Sequence, residues 1–285
     1  MIRFGPAGNS DSFYDSGYKH TTQAPMWLDA MGLRAFEYSF GKGVKLSEKT
    51  GEAIFNEAQK YDVALSAHAV YFINLAAEDE ERKQKNIGYF LQCAQGAKRL
   101  HASRLIFHPG AVQDGDRALA MKNAKELLGI AIRTLDEHGF GDIALCPETM
   151  GKKAQLGDLA EVLELCGLDE RIIPAIDFGH LHARDLGALK EKADFARIID
   201  EMINKIGFER TRDMHVHFSK IEFTNAGERR HRVFSDEGFG PDFEPFLQVV
   251  FDKKLEPRVI CESKGTMAED AKTMRDYYCS LAKEC

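Results

Sequence analysis

The chain has 285 residues, 44% of them hydrophobic, with a formal net charge of −7 and a pI near 5.8. That length suits one or two domains, and a closed barrel of this size commonly forms one. The acidic balance excludes a bulk positive field, so a nucleic-acid partner would need a local basic patch or bound cations.

In chain order, Ile2-Arg3-Phe4 predicts a short strand ended by Gly5-Pro6-Ala7-Gly8, followed by a polar loop over 11–22. A helix over 23–31 is stopped by Gly32. Ala35-Phe36-Glu37-Tyr38 reads as a second strand, with a helix from about 47 to 61 after the loop Gly41-Lys42-Gly43. Val63 to Ala67 is a third strand, and 78–100 a long helix whose Ile87, Phe90, Leu91 and Ala94 form one apolar stripe. A fourth strand covers 104–107, with a helix over 116–138; a fifth covers 142–145, with a helix over 158–165. The sixth strand falls at 172–176, its helix near 194–206; the seventh at 214–218, with a helix over 242–251; the eighth at 258–261, with a last helix over 268–281. Eight strands alternating with eight helices predict a parallel (β/α)8 TIM barrel, with 1–285 as a single domain.

Six cysteines without a CxxC pair indicate neither a zinc finger nor a disulfide framework, and fit a reducing compartment. The first residues do not form a signal peptide, and the longest apolar stretch, near 63–77, contains His68 and Asn74 and is too short and polar to cross a membrane. The expectation is a soluble, cytoplasmic protein.

The functional signal lies where the strands end. His68 follows the third, His108 the fourth, Glu148 the fifth, Asp177 and His180 the sixth; His215 is on the seventh, His231 in the long loop after it, and Glu262 ends the eighth. In a TIM barrel these ends meet at the mouth that holds the active site. Imidazole and carboxylate together suit zinc, manganese or iron, and the number of imidazoles favours zinc. Eight ligands exceed one ion and point to two or three, with a carboxylate bridging a pair. His215 and His217 are two residues apart and face the same side of their strand, so His217 would contact substrate or orient a ligand. His101 and His138 end helices, where a cation suits the dipole.

In this order and spacing, several motifs resemble the endonuclease IV family of apurinic/apyrimidinic endonucleases, within the xylose isomerase-like barrels. They are Ala67-His68-Ala69-Val70-Tyr71-Phe72-Ile73-Asn74-Leu75, the FHPG at 107–110, Pro147-Glu148-Thr149 with Gly151-Lys152, Asp177-x-x-His180-x-His182, Met214-His215-Val216-His217 and Cys261-Glu262-Ser263. The resemblance implies a monomer that hydrolyses double-stranded DNA 5′ to abasic lesions. It implies one zinc on His68, His108 and Glu148, a second bridged by Glu148 and shared with Asp177, His215 and Glu262, and a third on His180 and His231. The family adds an Asp two residues before the last His; here Arg229 stands there, with Glu228 beside it. Glu148 would hold the ion pair, while Glu262 and Asp177 would orient the attacking water or take its proton. Tyr71-Phe72 matches the pair that the family inserts beside a lesion, and Lys42, Arg229 and Arg230 would meet the DNA backbone.

Two other readings stay open. Glu148, Asp177, His215 and Glu262 also resemble the single-metal site of sugar isomerases and epimerases, which has no use for His68, His108, His180 and His231. A damage-binding protein without turnover is the other.

Overall fold

Eight short parallel strands line a closed barrel in the computed structural model, which describes residues 1–112 and 115–282. They are β1 (Arg3–Pro6), β2 (Ala35–Ser39), β3 (Ala64–His68), β4 (Arg104–Phe107), β5 (Ala144–Pro147), β6 (Ala175–Asp177), β7 (His215–Phe218) and, after an antiparallel hairpin of β8 (Lys220–Thr224) and β9 (Gly227–Arg232), β10 (Arg258–Cys261). The ladders form two half-barrels, β1-β10-β7-β6 and β2-β3-β4-β5. Single parallel bridges close the seams, Ala7 with Glu37 and Glu148 with Ala175. The first seam demands glycine: a Cβ on Gly5 would lie 1.8 Å from the Ala35 carbonyl oxygen.

The register sends the same parity inward all round the bore. Ile260 and Asp177 sit beside His217, His68 beside Ile106, and Ile106 beside Cys146. A small apolar cluster of Ile106, Cys146 and Ala175 lies in the bore. The larger core lies between the strands and the helices, where Phe107, Phe178, Phe195, Phe218 and Phe246 are buried.

The helices between strands start where the sequence supplies a cap. Ser47 accepts from Thr50 N, Asp79 from Arg82 N, Asp116 from Leu119 N and Asp158 from Glu161 N, each satisfying a backbone donor that the first turn leaves free. The helices are α1 (Asp11–Asp15), α2 (Ala24–Ala30), α3 (Glu48–Lys60), α4 (Glu80–Arg99), α5 (Arg117–Glu137), α6 (Leu159–Cys166), α7 (Phe178–Arg184), α8 (Lys192–Ile206), α9 (Phe208–Arg212), α10 (Phe243–Asp252) and α11 (Met267–Ala282).

The differences from the sequence reading are local. The expected loop at 11–22 contains α1 and the start of a 3-10 turn; β6 lies further along than expected; α7 follows it without a break; and the segment after β7 forms a hairpin. Cys93, Cys146, Cys166 and Cys261 are free and buried, but Cys279 is disulfide-bonded, where the sequence indicated no disulfide framework and a reducing compartment; Cys285 lies outside the described residues. Among the described residues, no helix is long and apolar enough to cross a membrane.

Candidate metal centre

Glu148, immediately after β5, is the hub of the barrel mouth and is 1% exposed. Its Oε2 lies 3.1 Å from His68 Nε2 and 3.2 Å from His108 Nε2. Its Oε1 lies 3.0 Å from His217 Nδ1 and 3.5 Å from His180 Nδ1. The two carboxylate oxygens therefore face two different sets of imidazoles. His217 Nδ1 is also 3.6 Å from Glu262 Oε1.

Three groups at this mouth have ligand atoms mutually within 4.8 Å: His68, His108 and Glu148; Glu148, Asp177, His217 and Glu262; and His180, Glu228 and His231. The first two share Glu148. The third depends on the hairpin, which is strapped to the loop after β5. Glu228 N donates to Gly151 O over 3.1 Å, and Lys153 N to Ala226 O over 3.2 Å. Gly227 permits this approach: its φ is +100°, and a Cβ there would lie 2.1 Å from Gly151 O.

The imidazoles are oriented from behind. His68 Nδ1–H donates to Ala69 O over 3.0 Å and His180 Nδ1–H to Thr149 O over 2.8 Å. His231 Nδ1 is hydrogen-bonded to Ser219 Oγ at 2.8 Å. Each bond leaves Nε2 as the nitrogen for the mouth. Fixing one ring nitrogen on a protein partner is how metal-ligating histidines have their tautomer and direction set.

Asp177 both caps α7, accepting from His180 N over 2.7 Å, and keeps its Oδ2 buried without a hydrogen-bond partner among the described residues. Leaving a buried carboxylate oxygen unsatisfied is costly, and burial pushes this carboxyl above its ordinary range. Oxygen and nitrogen donors gathered around an orphaned carboxylate fit divalent cations of the zinc, manganese or iron kind. Without cations, protons do the balancing. Burial opposes a charge on His68, but the hydrogen bond and charge of Glu148 outweigh it and raise the imidazole to about 9. His180 also reaches about 9: burial is outweighed by Asp177, then by Glu148 and Glu228.

Two expected positions change. The expectation puts His215 in the second group, but the structure places His217 there and His215 a layer deeper, its Nε2 3.0 Å from Glu37 Oε2. Two residues along a strand span about 6.6 Å, so residues of the same parity reach different depths. The place expected for an Asp, occupied in sequence by Arg229, is served by Glu228, whose Oε2 is 3.4 Å from His180 Nε2. Arg229 and Arg230 instead reach Glu222 over 2.5 and 2.7 Å; Arg232 binds the same carboxylate. Hydrogen bonds from Arg230 and Arg232 hold Glu222 down at about 2.

Beside the candidate ligands lies a cavity of ≈ 390 Å³, lined also by Tyr71, Lys152, Lys264 and Met267. Tyr71 is exposed, with its ring centroid 6.3 Å from that of His68 and 6.0 Å from that of His108. Phe72 is exposed too but leans on Tyr89 at 5.8 Å. Lys42 is exposed and away from the cavity lining. The sequence reading missed Glu37, although a carboxylate inside the apolar run Ala35-Phe36-Glu37-Tyr38 was a visible anomaly.

Comparison with known proteins agrees with this architecture. A family model described as "Xylose isomerase-like TIM barrel" matches residues 26–277. An uncharacterised protein of Methanocaldococcus jannaschii is 32% identical over 263 residues, covering 92% of each chain. A probable endonuclease 4 of Thermoplasma volcanium is 25% identical over 243 residues, covering 81% of this chain and 80% of the relative. Among solved structures, endonuclease IV from Thermus thermophilus superposes with a TM-score of 0.70 at 18% identity, over 99% of this chain and 100% of that one. A D-tagatose 3-epimerase-like protein does so with a TM-score of 0.73 at 17% identity, over 99% and 98%. At such identities the superpositions establish the fold, and they include both nuclease and epimerase. The chain belongs to the xylose isomerase-like TIM barrel family.

Proposed function

We propose that this protein is a metal-dependent phosphodiester hydrolase that cuts DNA on the 5′ side of abasic sites. The observation that carries the reading is the sharing of Glu148 between two ligand groups, with a third group beside them. A single-metal epimerase would use only Glu148, Asp177, His217 and Glu262. His68, His108, His180, Glu228 and His231 would then be buried or half-buried polar groups without a task. The relatives described as probable endonuclease 4 support the same direction.

When bound, two or three divalent cations supply Lewis-acid activation and neutralise charge on the phosphate. The chain's own residues do the rest. Glu148 keeps the two main groups in register by giving each one oxygen. Glu262, with a fifth of its side chain exposed, faces the cavity and accepts the proton of the attacking water, with Asp177 fixing the opposite wall. Tyr71 offers a flat face above His68 and His108 for the extruded deoxyribose or its neighbouring base. Lys152 and Lys264 stand at the cavity rim to meet flanking phosphates. An abasic nucleotide costs less to extrude than a paired base, which favours it in a cavity of ≈ 390 Å³.

The epimerase reading has its own support in the D-tagatose 3-epimerase-like superposition, and two measurements separate the alternatives. Elemental analysis should give two or three ions per chain. A duplex carrying one tetrahydrofuran lesion should be nicked 5′ of the lesion, and chelator should abolish the cut. One ion per chain with turnover of a ketose and no nick would reject the nuclease. Tight binding of the lesion duplex without a nick would instead identify a damage-binding protein.

A further inference from the structure

The bore beneath the mouth holds a second polar cluster with no counterpart in the three ligand groups' direct duties. Glu37 on β2 is 1% exposed. Its Oε1 accepts from His217 Nε2–H over 2.9 Å. Its Oε2 accepts from Ser66 Oγ–H over 2.9 Å and lies 3.0 Å from His215 Nε2, which is 3.3 Å from His217 Nε2. Two hydrogen bonds and a close imidazole thus engage both oxygens of one buried carboxylate, and the His217 bond crosses the bore. β2 belongs to one half-barrel and β7 to the other, with β10 and β1 between them along the wall. The half that carries His68, His108 and Glu148 is thus tied through Glu37 to the half that carries Asp177, His217 and Glu262.

We infer that Glu37 is a positioning residue which holds His217 as the Nε2–H tautomer and aims Nδ1 at the Glu148, Asp177 and Glu262 group, so that it sets cation affinity there through His217. This rests on the metal-binding part of the function proposed above and is independent of which substrate is cut. The geometry distinguishes His217 from the other ligands. His68 and His180 are oriented by backbone carbonyls that any residue at the acceptor position would supply. His217 alone among them is oriented by a carboxylate, which raises ligand basicity as well as fixing direction. Ser66 and His215 hold that carboxylate from its other oxygen, so its orientation does not depend on His217.

The test compares wild-type protein with Glu37→Gln and, as a control on the remote oxygen, Ser66→Ala. Zinc affinity is read by competition with a chromophoric chelator, and the ligand field by the visible spectrum of the cobalt-substituted protein. Glu37→Gln keeps one acceptor oxygen for His217 but removes the negative charge that raises the basicity of the imidazole, so it should weaken one ion by ~10–100-fold and change its cobalt spectrum. A second ion, on His68 and His108, should stay within a factor of ~3 of wild type, as should both ions in Ser66→Ala. Unchanged affinity and spectrum in Glu37→Gln would overturn the inference, as would wild-type protein that takes up no ion at this group. Imidazole 15N shifts of zinc-loaded wild-type protein test the same point without any variant: His217 must carry its proton on Nε2, and a proton on Nδ1 would overturn the assignment. Loaded protein that passes these tests yet leaves lesion DNA intact would reject the nuclease and leave the role of Glu37 standing.

Discussion

The two ends of one barrel bore treat buried charge in opposite ways. At the base, Arg104 reaches Asp213 over 2.7 Å and the Met214 carbonyl over 3.3 Å. Arg258 reaches the Leu65 carbonyl over 3.0 Å and Ser103 Oγ over 3.1 Å. Burial, then the nearby Arg104, lowers the Arg258 guanidinium to about 9, yet both side chains have their donors committed to fixed partners within the chain. At the mouth, four imidazoles crowd one carboxylate and Asp177 Oδ2, 3.4 Å from His180 Nδ1, has no hydrogen-bond partner among the described residues. A buried polar cluster that is complete contributes to the fold, whereas one left incomplete is a place for something to bind. The difference between the ends is thus one of unfilled valence rather than of burial or charge density.

The sharpest way to break that comparison is to alter one residue at each end. Glu148→Gln should bring nicking below detection and lower the ion count, while the circular dichroism spectrum stays that of wild type. Arg104→Met should do the reverse. It removes the charged contacts of Arg104 with Asp213 and with the Met214 carbonyl, which keeps its bond from Arg258 N, costing about 1.5–3 kcal/mol of stability by denaturant titration, and keeps the wild-type ion content. Should Glu148→Gln keep near-normal turnover, or Arg104→Met lose its ions, the two ends would not be divided as described.

The same contrast explains what could be read in the sequence. Barrel strands are buried on both faces and so appear as short apolar runs, and a His or Glu ending such a run stands out against it. That made six of the strands and their ligand-type ends legible. Depth within the bore was not. His215 and His217 share a parity, and only the tilt and register of β7 against β6 and β10 decide which reaches the mouth. Glu37 was hidden because its partners Ser66, His215 and His217 lie on other strands, two of them about 180 positions further along the chain. The hairpin was missed because its cross-strand content is charged: Glu222 opposite Arg230 reads as loop, although Asn225-Ala226-Gly227 is a plausible turn. α7 was missed because it begins at the residue after β6 with the apolar pair Phe178-Gly179, with no polar break between the two elements.

A smaller effect follows from the protons that stand in for cations at the mouth. His68 and His180 have an ordinary value of 6.5 and are raised to about 9 in the metal-free protein. A raised value means that the charged imidazole stabilises the fold fully below about pH 6.5, and that this contribution disappears as pH climbs through 9. The melting temperature of metal-free protein should therefore fall between pH 6.5 and 9. Zinc affinity should move the other way, because ligation requires the neutral ring and expels the proton. We expect a gain of up to ~10-fold per pH unit for each imidazole displaced, levelling off near pH 9, as read by chelator competition across that range. Affinity independent of pH would mean that these two nitrogens are not ligands.

The smallest effect concerns the hairpin outside the mouth, where charge is exposed rather than buried. Arg229, Arg230 and Arg232 gather on the carboxylate of Glu222, with Asp236 beside Arg232, so three guanidiniums against two carboxylates keep a net positive charge on a chain that is acidic as a whole. Arg229 and Arg230 are the exposed members, and exposed ion pairs contribute little to stability; their removal should leave the fold and the ion count unchanged. If they meet the DNA backbone, the Arg229→Ala, Arg230→Ala double variant should bind lesion and undamaged duplex more weakly by a similar factor. The slope of log affinity against log salt should become shallower by about 1 for each phosphate that the variant no longer neutralises. The turnover of bound lesion DNA should not change, since neither guanidinium lines the cavity. A change in lesion selectivity with an unchanged salt slope would instead place the hairpin's role in shaping the third ligand group through Glu228 and His231, and would move these arginines from the DNA-binding surface to the support of the mouth itself.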